Sequence, residues 1–173
     1  MALITGPATH IPGPTPLETA RVSSFATMHQ APMPPWRNDE EAEEYRADPK
    51  AFLMARCMLW LPSVTVFHNW IITATYYMPD YDELGATGVK FYRSDKAHDE
   101  ALWQGKVGLV VGKGPMAFLD DEHVKFYGQN VEIGDWVQYD ILEGRQFTVD
   151  RIHCRRLKDT QIVMRVDDPR LVY

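Results

Sequence analysis

Short apolar runs bounded by glycine, aspartate and proline dominate the C-terminal part of the chain. One run covers residues 105–111 and precedes a turn at residues 112–115, and another covers residues 136–142. Short β-branched runs with this punctuation are typical of strands rather than helices. The polar residues 116–130 lie between the two runs, and a hairpin is one interpretation of them.

The same pattern continues towards the C-terminus. Residues 143–145 predict a tight turn that returns the chain as a partner strand over residues 146–155. Residues 157–160 predict another turn, which leads into a strand over residues 161–166. Several short strands at this spacing predict a mostly β fold, in the form of a small β-barrel that is closed or partly open.

Upstream of these strands, residues 64–77 are rich in β-branched and aromatic side chains and too long for one flat strand. We expect a kink near His68 and Asn69 to divide them into two strands. Residues 79–104 follow with no clear period. An irregular segment of that length in a compact domain is usually functional or disordered.

Most of the prolines lie in residues 1–37, and each removes a backbone donor and favours an extended neighbour. These residues therefore predict an extended Pro-rich arm with polyproline II character. The arm carries more apolar side chains than a solvated linker needs. They are Leu3, Ile4, Ile11, Leu17, Val22, Phe25, Met28, Met33 and Trp36. Two interpretations stay open: the arm lies across a neighbouring protein, or it folds over its own domain.

Residues 38–63 predict a helical linker made of two segments. The first is a short acidic helix with Asn38 or Asp39 as its N-cap and four glutamates near its positive end. The second has Asp48 as its N-cap and Pro49 at the first helical position. We expect this second segment to continue to Trp60 and to pack on the barrel.

The composition is that of an ordinary globular chain, with 45% hydrophobic and 24% charged residues among 173. The formal net charge of −6 and the lack of a basic block disfavour binding to nucleic acid. No apolar run approaches the ~20 residues that span a bilayer, and the first residues lack the features of a secretory signal. We therefore expect no membrane partner, and a location in a cytoplasm or in a particle assembled there.

No motif in the sequence completes a catalytic or cofactor site. The glycines of residues 108–114 have the wrong spacing for a phosphate loop, and no helix pattern follows them as a dinucleotide fingerprint requires. Cys57 and Cys154 are too few for a disulfide framework, so we expect two reduced, packed thiols. Residues 120–123 could bind a cation but are better interpreted as a solvated loop. The prediction is a non-enzymatic protein with no cofactor and no metal.

From Val64 onwards the order of these motifs resembles the GroES-type co-chaperonin family and its phage-encoded relatives. The family's first strand carries a Leu-His-Asp-Arg-Val-like segment, matched by residues 67–71. Its mobile loop carries a Gly-Gly-Ile-Val-Leu-like stretch, matched by residues 86–91. A Gly-x-Val-x-x-Val-Gly-like strand is matched by residues 105–112, and a Val-x-Val-Gly-Asp-x-Val-like strand by residues 131–137.

The resemblance implies a GroES-like β-barrel over residues 64–173 that forms rings and docks its mobile loop into an apolar groove of a chaperonin. One departure lies in the docking position, where Lys90 separates Val89 from Phe91. A lysine ammonium is costly in an apolar groove unless its stem snorkels. The arm and helices of residues 1–63 are a second departure.

Two functions follow as predictions. In the first, the chain is a structural or assembly protein, a tailed-phage virion component that decorates or stabilises a capsid, with the barrel as a rigid body and residues 1–37 as a clamp. In the alternative, it is a phage-type co-chaperonin that caps a host chaperonin through its mobile loop. Both functions imply a homo-oligomer in the virion or host cytoplasm, with other protein subunits as partners: capsid or connector proteins, or a chaperonin ring. The predicted partner-binding residues are Leu3, Ile4, Ile11, Leu17, Val22, Phe25, Trp36, Thr87, Gly88, Val89, Phe91 and Tyr92.

Overall fold

The computed structural model of the chain describes residues 33–79, 81–84, 89–92 and 105–172. This part contains two short α-helices, α1 (Asp39–Ala47) and α2 (Pro49–Cys57). It also contains eight strands: β1 (Trp70–Thr75), β2 (Tyr81–Leu84), β3 (Val89–Tyr92), β4 (Val107–Lys113), β5 (Trp136–Tyr139), β6 (Arg145–Val149), β7 (Ile152–Lys158) and β8 (Ile162–Val166). Single 3-10 turns lie at Leu61–Ser63, Asp159–Gln161 and Pro169–Val172.

Six of the strands in the described part form one antiparallel sheet in the order β6-β7-β1-β4-β5-β8, and β2 pairs with β3 separately. The fold is therefore mostly β with two short helices, as predicted. Closure of the sheet into a GroES-like barrel stays a prediction.

The helices begin where the capping residues predict. The Asn38 side chain accepts a hydrogen bond from the Glu41 N–H at 2.9 Å, and the Asp48 side chain accepts one from the Ala51 N–H at 2.9 Å. Each bond satisfies a donor that the first turn of a helix leaves free. The prediction that α2 continues to Trp60 was wrong, because the α-helix ends at Cys57.

Three strand predictions were wrong. Residues 64–69 do not form a strand. The chain does change direction near the predicted kink, where His68 has a φ of 54°. Residues 116–130 contain turns but no strand, so they are not a hairpin. Residues 146–155 were expected to pair with residues 136–142, whereas β6 pairs with β7 and β5 pairs with β4 and β8.

The chain reverses direction between β6 and β7 at two residues, neither of which is glycine. Asp150 has a φ of 44° and Arg151 a φ of 68°. Positive φ at both central positions is the geometry that matches the twist of a two-residue hairpin. This turn divides the predicted long strand over residues 146–155 into the end of β6 and the start of β7.

One face of the six-stranded sheet carries a buried apolar cluster. Its members are Ile71, Val110, Ala117, Val131, Val137, Tyr139 and Leu157. Ala74 and Cys154 are register partners three residues away from Ile71 and Leu157, so they face the opposite side. The described helices cover that opposite side, where Leu53 and Cys57 of α2 are fully buried.

The helices dock on the sheet through tyrosines. The Tyr45 hydroxyl donates to the Tyr77 carbonyl oxygen at 2.9 Å and accepts from the Tyr77 N–H at 2.8 Å. The Tyr45 ring also lies 5.5 Å from the ring of Phe52 and 6.2 Å from that of Tyr76. Arg37 adds an ion pair to Asp150 in the hairpin turn at 2.7 Å.

Arg155 lies on the cluster side of the sheet with 1% of its surface exposed. Its Nη1 donates to the carbonyl oxygens of Ile141 at 2.8 Å and Glu143 at 3.1 Å, and its guanidinium lies 5.0 Å from the centre of the Tyr139 ring. No carboxylate among the described residues forms an ion pair with it. The buried charge is balanced by carbonyl dipoles and a ring face instead.

We expect Arg155→Met to lower the free energy of unfolding by about 1–3 kcal/mol, because it leaves inward-pointing carbonyls without a donor. Chemical denaturation measures the change. Lys125→Met, which removes the positive charge of an exposed lysine outside the sheet, is the control and should change stability by no more than about 0.5 kcal/mol. Equal effects of the two substitutions would contradict the role assigned to Arg155.

Candidate protein-interaction surface

Strand β8 presents apolar side chains at one end of the sheet. Val163 is 56% exposed and Met164 is 48% exposed. In the described part of the chain, β8 has β5 as its only strand neighbour, so its other edge carries backbone donors and acceptors without a strand partner. Such an edge is a template for pairing with another chain.

A β-bulge explains why two consecutive apolar residues of β8 are exposed. Tyr139 is the partner of Ile162, whereas the adjacent Gln138 is the partner of Met164, so Val163 is an extra residue. A bulge interrupts the alternation of side chains between the two faces of a strand. Val163 and Met164 are consequently both at the surface.

The start of β8 is held firmly by the turn before it. Asp159 is buried, and its Oδ1 accepts from the Asn69 side chain at 2.9 Å while its Oδ2 accepts from the Phe118 N–H at 3.0 Å. These bonds connect the β7–β8 turn to the segment before β1 and to the turn after β4. A rigid edge loses little conformational entropy when it binds a partner.

A second exposed apolar group lies where two turns meet. Phe67 is 65% exposed and Met116 is 55% exposed, and the Met116 N–H donates to the His68 carbonyl oxygen at 3.0 Å. Gly114 permits this approach, because a Cβ at that position would collide with the same carbonyl oxygen. We name this group the Phe67–Met116 corner.

The two thiols meet at the boundary between the helices and the sheet. Cys57 of α2 and Cys154 of β7 are both buried and free. The Cys154 thiol donates a hydrogen bond to the neighbouring Cys57 sulfur, and this bond, together with burial, raises the pKa of the Cys154 thiol. The protonated form is thereby favoured, as expected for packed rather than reactive cysteines.

A small cavity lies beside this thiol pair. It is lined by described residues that include Leu53, Tyr76, His153 and Cys154, and its volume of ≈ 20 Å³ is room for about one water molecule. The cavity is therefore too small for an organic ligand. Burial lowers the pKa of His153, whose Nδ1 lies 3.3 Å from the Thr148 hydroxyl.

The structure describes only some of the predicted partner-binding residues. The Trp36 ring packs on its own chain, 5.2 Å from the ring of Tyr45 and 4.9 Å from that of Tyr77. Val89, Phe91 and Tyr92 lie in β3, which pairs with β2. The other predicted residues lie outside the described part: Leu3, Ile4, Ile11, Leu17, Val22, Phe25, Thr87 and Gly88.

Three further observations concern features that the sequence analysis considered. The Asp121 carboxylate accepts from the N–H groups of His123 and Val124, both at 2.7 Å, so it caps its own loop. Among the described residues, no three His, Cys, Asp or Glu side chains are grouped so that they could hold a metal ion. Within the same residues, no helix has the length and apolarity to cross a membrane.

Comparison of the chain with models of known protein families and with curated proteins finds no match. Membership of the GroES-type family therefore stays a prediction from the sequence motifs.

The depressed pKa of His153 predicts a pH dependence of stability. At a pH between the folded and the ordinary pKa, the unfolded state binds more protons, so acidification favours unfolding. We expect the free energy of unfolding to fall between about pH 7.5 and 5, and to fall less in His153→Gln. Denaturation at the two pH values measures this, with the exposed His123→Gln as control. An unchanged slope in His153→Gln would show that burial of this imidazole has no such effect.

Proposed function

We propose that the chain is a non-enzymatic structural or assembly protein that binds other protein subunits through the edge of β8. The observation that carries the proposal is the exposure of Val163 and Met164 on a strand that ends the described sheet. Addition of a neighbouring strand would satisfy the backbone groups of the edge, and pockets for alternate side chains would give specificity.

Proteins usually protect sheet edges with charge, proline or a covering segment, because an apolar edge pairs with other chains. In β8 the only charged side chain is Arg165, which forms an ion pair with Asp135 at 3.5 Å. Its charge is therefore partly compensated within the chain, and β8 is weakly protected against pairing.

A tailed-phage virion component is the form of this function that we favour. The helices are fastened to the sheet by the Tyr45 hydrogen bonds and by Arg37–Asp150, so the two would act together as a rigid body. Residues 1–37 would then be the clamp on a capsid or connector protein, and the protein would act as a homo-oligomer in the virion or host cytoplasm.

A co-chaperonin is the alternative, and one observation supports it. β2 and β3 form an antiparallel pair with Leu84 opposite Val89 and Asp82 opposite Phe91. This pair carries the stretch that resembles the docking loop of the GroES-type family. A hairpin at that place would present the stretch to a chaperonin groove.

We expect the double substitution Val163→Glu and Met164→Glu to weaken association by at least about 10-fold, because two carboxylates would be desolvated at a paired edge. Analytical ultracentrifugation of the full chain over a concentration series measures this. The control is the double substitution Leu119→Glu and Leu142→Glu, which places the same charge at two exposed apolar residues outside β8. Wild-type association in the double variant would contradict the role of β8.

The two functions differ in their response to nucleotide. A co-chaperonin should co-migrate with a chaperonin ring only when nucleotide is present, and Val89→Asp should abolish that co-migration. A structural protein should not bind the ring under either condition. Removal of residues 1–32, which keeps the contacts of Trp36 and Arg37 with their own chain, should prevent its association with particles. Nucleotide-dependent binding to a chaperonin would overturn the structural function.

A further inference from the structure

Three cations and one tryptophan form a stripe on the helix side of β1, β6 and β7. Arg145 is the register partner of Arg156, and Lys158 is the register partner of Trp70. The Arg156 guanidinium lies 4.7 Å from the centre of the Trp70 ring, and the Lys158 Nζ lies 5.8 Å from it. We name these four residues the cationic stripe.

Repulsion between the cations of the cationic stripe destabilises the folded state of an isolated molecule. Like charges directly opposite each other on one face of a sheet destabilise the pair, and Arg145 faces Arg156 in this way. All three cations are exposed, and none forms an ion pair with a carboxylate of the described residues. The ring of Trp70 offsets only part of the repulsion. An anionic partner would remove the rest.

Helix α1 carries negative charges that lack a counter-charge. Glu40 and Glu44 are exposed, lie one helical turn apart, and form no ion pair within the described residues. By contrast, Glu41 pairs with Arg56 and Glu43 with Arg46. Like charges at positions i and i+4 destabilise a helix. The face that carries Glu40 and Glu44 therefore also lacks a counter-charge.

The spacing of the two charged groups matches. Side chains at i and i+4 of a helix are about 6 Å apart, and side chains two residues apart on one face of a strand, such as Arg156 and Lys158, are about 6.6 Å apart. Two glutamates one turn apart can thus approach two cations at once. Arg145, opposite Arg156, widens the cationic surface.

Within the described part of one molecule, no ion pair joins the two groups. Arg37, just before α1, pairs with Asp150 at 2.7 Å, which holds the start of the helix at the turn of the β6–β7 hairpin. Arg145 lies at the other end of the hairpin, five residues and about 16 Å away along the strand. A second copy of the chain can supply the helix without this constraint.

We propose that the cationic stripe of one copy binds the Glu40–Glu44 face of helix α1 in a second copy. The contact is head-to-tail, since each copy contributes a different surface, and such contacts generate rings or filaments. A nucleic acid is the less favoured occupant, because the formal net charge of −6 repels a polyanion as a whole. This contact is separate from the β8 edge and leaves Val163 and Met164 untouched.

A charge-swap experiment tests the proposal on the full-length chain. The stripe variant carries Arg156→Glu and Lys158→Glu, and the helix variant carries Glu40→Lys and Glu44→Lys. Each variant alone places like charges on both surfaces, so we expect its self-association to weaken at least about 10-fold at 0.1 M salt. An equimolar mixture restores both complementary contacts, and we expect association to return to within about threefold of wild type.

Control variants of the same two types of charge reversal come from the exposed loop of residues 121–125. Glu122→Lys and Lys125→Glu make single charge reversals there, and they should leave association unchanged. Circular dichroism verifies that each variant is folded, and the milder Arg156→Gln substitutes for the stripe variant if charge reversal disturbs the sheet. Sedimentation velocity in low and high salt provides the measurement.

Three results would overturn the proposal. The first is a wild-type chain that stays monomeric, and the second is a mixture of the two variants that fails to associate. The third is binding of single-stranded DNA that is lost in the stripe variant but kept in the helix variant, which would assign the cationic stripe to nucleic acid. The β8 residues are wild type in the stripe and helix variants, so a loss of association in either variant would come from the charge reversals and not from the β8 edge.

Discussion

The buried guanidinium of Arg155 is the constraint on which the sheet depends. A charge without a carboxylate partner must be stabilised by dipoles, and the carbonyl groups of Ile141 and Glu143 turn inward to supply them. These carbonyls lie just after β5, which ends at Tyr139, and the chain then crosses to the opposite edge of the sheet, where β6 begins.

The helices depend on the sheet in turn. Each has nine residues, which is shorter than the ~12–15 residues at which an isolated helix becomes even marginally stable in water. Their stability comes from the contacts of Tyr45 and from the burial of Leu53 and Cys57 against the sheet. Substitutions that loosen the sheet should accordingly loosen the helices as well.

Local signals in the sequence predicted local features of the structure. The helix starts are predicted by Asn38, Asp48 and Pro49, because a cap acts within one turn. Strand β4 is predicted by the glycine-bounded apolar run before Lys113. The pairing of strands was not predictable in the same way. Asp150 and Arg151 form a hairpin turn without glycine, so the residue pattern predicts one continuous strand across them.

Prediction of the candidate surfaces requires the strand register as well as the strand positions. The run at residues 161–166 predicts a strand, but only its pairing shows that it ends the described sheet and contains a bulge. Arg145 and Arg156 are eleven positions apart in sequence, and nothing in the pattern places them opposite each other. Long-range pairing depends on the whole topology, which residue patterns do not encode.

The contact between Cys57 and Cys154 gives the molecule an internal reporter of its own opening. Both thiols are shielded by the boundary they share, so a water-soluble alkylating reagent can reach them only when α2 separates from β7. The rate of labelling thus measures how often that boundary opens. An assembly partner that stiffens the sheet would slow the labelling, even if it bound far from either cysteine.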